Sequence, residues 1–130
     1  GWKSVQYDGK YLYNRSHLLG FQLTGDSSTP ENLITGTRHF NTQSMIKLEN
    51  QVASYIKKSG NHVTFRVTPV FYKNELVARG VIMEAFSVED KGKGICFCVF
   101  VRNIQPGIII DYATGESIQE EMSRAESKAA

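Results

Sequence analysis

The sequence predicts an α+β domain in which an antiparallel sheet packs against one main helix, and three observations carry that prediction. Residues 41–60 place apolar side chains at helical spacing, residues 62–104 fall into strand-like runs, and an aromatic strand near the front is separated from the helix by turn-forming residues. Strand, connection, helix and then three strands suit two packed layers around one core. A length of 130 residues, 41% of them hydrophobic and 22% charged, suits a single compact domain.

Taken in order, "YDGKYLYNRSHLL" reads as a turn at Asp8-Gly9 and then a strand, with Tyr11 and Tyr13 on one face and His17 near its end. Gly20 to Phe40, with "TGDSSTPEN" and "TGTR", reads as a long irregular connection. "NTQSMIKLENQVASYIKKSG" repeats apolar residues at Met45, Leu48, Val52, Tyr55 and Ile56, the three- and four-residue spacing of an amphipathic helix. Thr42 to Ser44 offer its N-cap, and Lys57, Lys58 and Gly60 its C-terminal signal. "HVTFRVTPVFY", "LVARGVIMEAFSVED" and "ICFCVFVRNI" are alternating or β-branched, and the breaks "KNE" and "KGKG" make them an antiparallel meander. Residues 1–117 form the expected domain and 118–130 a polar C-terminal tail.

Composition narrows the function classes. No apolar run approaches the roughly 18 residues of a membrane-spanning helix, and no export leader is read in the chain. Cys96 and Cys98 stand two apart in "ICFCVF", too close for ordinary disulfide geometry, and are read as core residues rather than a zinc site. The net charge is +2 overall, and the acidic end leaves 13 bases against 9 acids in residues 1–115. That balance permits a polyanionic partner without demanding one.

The strand, connection and helix bring three chemistry-bearing residues toward one side: His17, Asn41 and Glu49. Phosphodiester hydrolysis needs an activated water and neutralisation of the charge that develops on phosphate and leaving oxygen. An imidazole such as that of His17 serves as general base near neutral pH. A hard divalent cation takes oxygen ligands such as the Asn41 carbonyl, and Glu49, eight residues further on, lies close to a whole number of helical turns away. Arg15, Arg38, Arg66 and Arg79 are the arginines available to hold phosphate. Taken alone, each of these residues has an ordinary structural use, and Arg66 and Arg79 read as sheet-face residues.

"YNRSHLLGFQL" resembles the DRGH motif of the DNA/RNA non-specific endonucleases of the ββα-metal (His-Me finger) type, most closely the bacterial streptodornases and DNA-entry nucleases. "ENLITGTRHFNTQSMIKLENQVASYIKK" resembles that family's second motif. "RVTPVFYKNELVARGVIMEAF" and "NIQPGIIIDYATGES" are similar to its following strands and C-terminal end. The resemblance covers Tyr7 to Ser117 and implies a ββα-metal motif within the fold. It implies His17 as general base with Arg15 beside it, Asn41 as ligand of one Mg2+ (or Mn2+), and Glu49 orienting the waters of that ion. Arg38, Asn14 and Asn32 become the substrate-side residues. The implied activity is cleavage of DNA and RNA to 5′-phosphate ends with little sequence preference, at an extracellular or cell-surface location.

Two departures stand out. Asn14 replaces the motif's Asp and Ser16 its Gly, so a negative charge near the metal is lost. Family domains also carry further strands before this motif, whereas 13 residues precede Asn14 here. The rival expectation is therefore a non-catalytic nucleic-acid-binding module on the same scaffold.

Overall fold

A computed structural model of the chain describes residues 5–7, 9–20, 23 and 30–120. Strands β1 (Gln6–Tyr7) and β2 (Lys10–Tyr11) form a short antiparallel pair. Gly9 turns between them at φ 75°, a left-handed conformation that costs glycine little. Strand β3 (Tyr13–His17) pairs antiparallel with β4 (Leu33–Thr37), in a register that sets Tyr13 opposite Thr37 and His17 opposite Leu33. A 3-10 turn, Pro30–Asn32, leads into β4. A π-helical turn, Phe40–Ser44, then runs directly into helix α1 (Met45–Ser59).

The meander follows as expected: β5 (Val63–Val70), β6 (Gly80–Ser87) and β7 (Cys96–Arg102) form one antiparallel sheet with β6 in the middle. Strands β8 (Ile108–Ile110) and β9 (Ser117–Gln119) make a further antiparallel pair. The α+β expectation with one main helix holds. No helix among the described residues is long and apolar enough to cross a membrane.

The core forms where α1 and its leading turn lie on the meander. Phe40, Met45, Val81, Met83 and Val101 are buried together, and the partly buried Ile34, Leu48 and Phe97 pack against them. A second cluster of Leu12, Tyr13 and Val77 receives Ile108, Ile110 and Tyr112, so the start of β3 is anchored there. The helix ends where the sequence places its stop: Gly60 adopts φ 72° and its N–H donates to the Ile56 carbonyl at 2.9 Å. Asp90, in the β6–β7 turn, accepts from the Tyr55 hydroxyl at 2.7 Å and ties that turn to the helix.

Several expectations are corrected. The supposed irregular connection contains β4, whose "LITGT" is short and broken by Gly36, so alternation is too brief to reveal it. Tyr11 and Tyr13 belong to different strands: Tyr11 is exposed on β2 while Tyr13 is buried on β3. Cys96 and Cys98 are exposed because the two-residue period of β7 turns Phe97 and Val101 toward the core instead. The tail boundary falls inside β9, since Ile118 and Gln119 pair with β8; residues 121–130 lie outside the described residues.

Candidate active site

Three elements position the predicted residues, and their geometry starts with Thr37. Its hydroxyl accepts the Phe40 backbone N–H at 3.0 Å and donates to the Ile104 carbonyl at 2.5 Å. This is an N-terminal cap in substance, several residues ahead of the expected cap at Thr42 to Ser44. Thr42 instead bonds back to the Arg38 carbonyl at 2.7 Å, and no side chain caps α1 at Ser44.

The π turn between cap and helix places Asn41. The Met45 N–H donates to the Phe40 carbonyl, an i→i+5 bond that fits one more residue into the turn than an α-helix would. In a uniform α-helix, eight residues rotate through about 800°, about 80° past two full turns. The expected near-whole number of turns is therefore not met by a uniform helix, and the wider turn removes part of the offset. Asn41 is half-buried in this turn, which packs on β3 and β4.

Glu49 shares the buried stripe of α1 with Met45 and Val52 and is 6% exposed. Burial pushes its carboxyl up from 4.5 to about 7, and the charge of nearby His17 pulls in the opposite direction. This interaction brings the end of β3 to the helix face, joining two of the three predicted residues. Gly20, just beyond β3, makes the approach possible, because a Cβ there would stand 2.7 Å from Glu49 Oε2. Arg15 is exposed two residues before His17 on β3, the spacing that puts both on one face. Asn14, half-buried and opposite Gly36, lies on the other.

Asn32 has a positioning role in this geometry. Its side-chain oxygen accepts the Leu19 N–H at 2.9 Å and its amide nitrogen donates to the Leu19 carbonyl at 3.0 Å. Both ends of the amide thus clasp the backbone two residues beyond His17. Arg38 lies at the opposite end of the β3–β4 pair from His17, next to Thr37. Arg66 and Arg79 are spoken for: Arg66 forms a two-pronged pair with Glu84 at 3.0 and 3.2 Å, and Arg79 one with Glu75 at 2.7 and 2.6 Å.

Sequence reasoning missed Asn103. It is fully buried; its side-chain oxygen accepts the Thr37 N–H at 2.9 Å, and its amide nitrogen donates to the Thr35 and Ala78 carbonyls at 3.0 Å each. One side chain therefore fastens β4 and the cap to the edge of the meander. The signal was an amide directly after the apolar run of β7, where a buried polar group has to be fully bonded.

The residues present fit a hard divalent cation. Among the described residues no group of three or more His, Cys, Asp or Glu side chains gathers to form an all-protein cage. The Asn41 side chain offers an amide oxygen, a donor that Mg2+ accepts while keeping waters, and the Glu49 carboxyl offers acceptors for such waters. A carboxyl raised by burial is also one that a nearby cation would return to its charged form.

A pH dependence follows from Glu49. Its folded pKa of about 7 exceeds the ordinary 4.5, so the stability it contributes is fully present below pH 4.5 and is lost as pH rises through about 7. The metal-free chain should therefore lose stability to urea between about pH 5 and 7, and Glu49→Gln should flatten that part of the profile. An unchanged slope in Glu49→Gln would show that other groups cause it.

The chain is similar to known nucleases along most of its length. The family profile for DNA/RNA non-specific endonuclease matches residues 1–89. The Sda1 nuclease, solved with a bound zinc ion, superposes with a TM-score of 0.76 at 36% identity, covering 86% of this chain and 48% of its own. NucA from Streptococcus agalactiae without metal gives 0.76 at 27% identity, covering 91% of this chain and 61% of its own. Its magnesium-bound form gives 0.74 at 25% identity, covering 89% and 58%. This chain thus spans about half the length of Sda1 and about three fifths of NucA. With the family profile and the Sda1 fold both matched, the chain belongs to the DNA/RNA non-specific endonuclease family.

Proposed function

We propose that this chain carries the catalytic core of a metal-dependent, sequence-non-specific endonuclease acting on DNA and RNA outside the cell. The observation that carries the proposal is the buried Glu49 carboxyl facing His17 across the β3–α1 junction. A carboxylate on an apolar helix stripe costs stability unless a charge or hydrogen-bond partner offsets it, and meeting such a partner is the task this position fits. The magnesium of NucA and the zinc of Sda1 support a divalent ion as the partner of that task.

In the proposed reaction, His17 takes a proton from a water at a ring nitrogen while the water oxygen forms a bond to phosphorus. The P–O3′ bond breaks, the 3′ oxygen acquires a proton from solvent, and the phosphate stays on the 5′ side of the downstream fragment. Asn41 would hold the cation and Glu49 would orient its waters; when bound, the ion supplies positive charge against that developing on the phosphate and the leaving oxygen. Arg15, exposed beside His17, adds a fixed positive charge for the substrate. Asn32 keeps the end of β3 in place through Leu19.

Plasmid degradation with Mg2+ and with EDTA tests the reading. Cleavage should require the metal, and Asn41→Ala should raise the Mg2+ concentration needed for half-maximal activity by about tenfold or more, the order seen when metal-site groups are removed. Binding of plasmid without cleavage at any metal concentration would favour the non-catalytic module, with Asn14 in place of the motif's Asp as its cause. An Asn41→Ala variant with the parent's metal requirement would remove Asn41 from the metal site.

A further inference from the structure

The face of β3 turned away from His17 carries a polar atom that no bond accounts for. Ser16 is fully buried, and among the described residues its Oγ meets no hydrogen-bond partner. A buried hydroxyl in that condition costs stability, a cost that alanine would avoid. Its surroundings show what the oxygen does instead. Ser16 pairs with Ile34 and Asn14 with Gly36, so Ser16 and Gly36 are diagonal neighbours on one face of the β3–β4 pair. A Cβ at Gly36 would collide with the Ser16 hydroxyl and stand 2.8 Å from Cδ2 of the Phe40 ring. Hydroxyl and ring thus share the space that the absent side chain leaves. Gly36 is not one of the left-handed glycines, so room, and not backbone freedom, is what this position supplies.

Phe40 opens the π turn and is held firmly. It is fully buried, its N–H donates to the Thr37 hydroxyl at 3.0 Å, and its carbonyl accepts the Met45 N–H. A shift of its ring is therefore passed to the turn, and Asn41 is the next residue along. On the other side of the contact, Ser16 is one residue from His17. We propose that Ser16 is a positioning residue: its hydroxyl, set against Gly36 and Phe40, fixes the spacing between the strand that carries His17 and the turn that carries Asn41. The assignment rests on the nuclease reading of those two residues. Being fully buried, Ser16 touches neither metal nor phosphate and acts through packing distance, which is why an oxygen without a partner is kept there for its size.

The test sets plasmid cleavage rates at saturating Mg2+ beside urea unfolding midpoints. Ser16→Ala should cleave about tenfold more slowly, part of the roughly 10²-fold loss that a misplacement of about 1 Å brings. Its unfolding midpoint should stay level or rise, because the unpartnered hydroxyl is gone. Packing alone would move rate and stability together. Gly36→Ala should lower both, since two side chains then claim one space. Combining Ser16→Gly with Gly36→Ala moves the filling atom from one strand to the other and should recover most of the rate lost in Gly36→Ala, a coupling that independent sites do not show. Parent-like cleavage by Ser16→Ala overturns the positioning role and leaves the nuclease reading standing. A fall in its rate matched by a fall in its midpoint does the same, as does a folded double variant no faster than Gly36→Ala. Should the double variant not fold, the Ser16→Ala comparison decides by itself. Absence of metal-dependent cleavage by the parent chain overturns the nuclease reading, and the positioning role with it.

Discussion

His17→Ala should lower the metal-supported cleavage rate by about 10²- to 10⁴-fold, the usual contribution of a general base, while the chain keeps its fold. The imidazole is half-buried at the end of β3, and the strand beneath it is fixed by its pairing with β4 and by the Asn32 clasp on Leu19. Circular dichroism and the unfolding midpoint should therefore change little. A second consequence separates chemistry from packing. Nearby His17 charge lowers the Glu49 pKa, so its removal should let burial raise that pKa further. Added imidazole should restore part of the rate if the missing group is a base. Undiminished cleavage by a folded His17→Ala chain would end the mechanism proposed for this site.

Asn103→Leu should have the largest effect on stability, about 3 to 5 kcal/mol. The substitution keeps bulk but strands one buried N–H, on Thr37, and two carbonyls, on Thr35 and Ala78, at about 1–3 kcal/mol for each unsatisfied group with some relaxation. Urea denaturation reads the change directly. The loss also reaches the site, because Thr37 caps the turn that carries Asn41. The metal requirement should rise with the instability. A loss below about 1 kcal/mol, the low end for a single stranded group, would show that the three backbone groups find other partners and that Asn103 is not the fastening described.

The two halves of the chain were unequally legible in the sequence. From Met45 onward, long periodic runs declare themselves, and α1, β5, β6, β7 and the Gly60 stop are all where the pattern puts them. The front is written in short elements stabilised by distant partners. β4 has five residues and draws its position from pairing with β3 and from Asn103, 66 residues beyond Thr37. A local pattern carries no trace of such a partner. The candidate site was read mainly from a combination of motifs. Glu49 had one signal of its own, a carboxylate on the stripe of Met45 and Val52. The π turn that carries Asn41 had none. Cys96 and Cys98 show the converse: hydrophobic identity suggested burial, whereas the phase of β7 put them outside.

The clasp of Asn32 on Leu19 has a consequence for how such a domain can diversify. Two hydrogen bonds close the segment between these residues at its base, so the ends are held together whatever lies between them. Closing a chain segment becomes only about 0.6 kcal/mol more costly for each doubling of its length. Insertions and deletions there should leave the position of His17 almost untouched. The clasp thus separates the position of the end of β3 from the length of chain between Leu19 and Asn32, so that length is free to vary without moving His17.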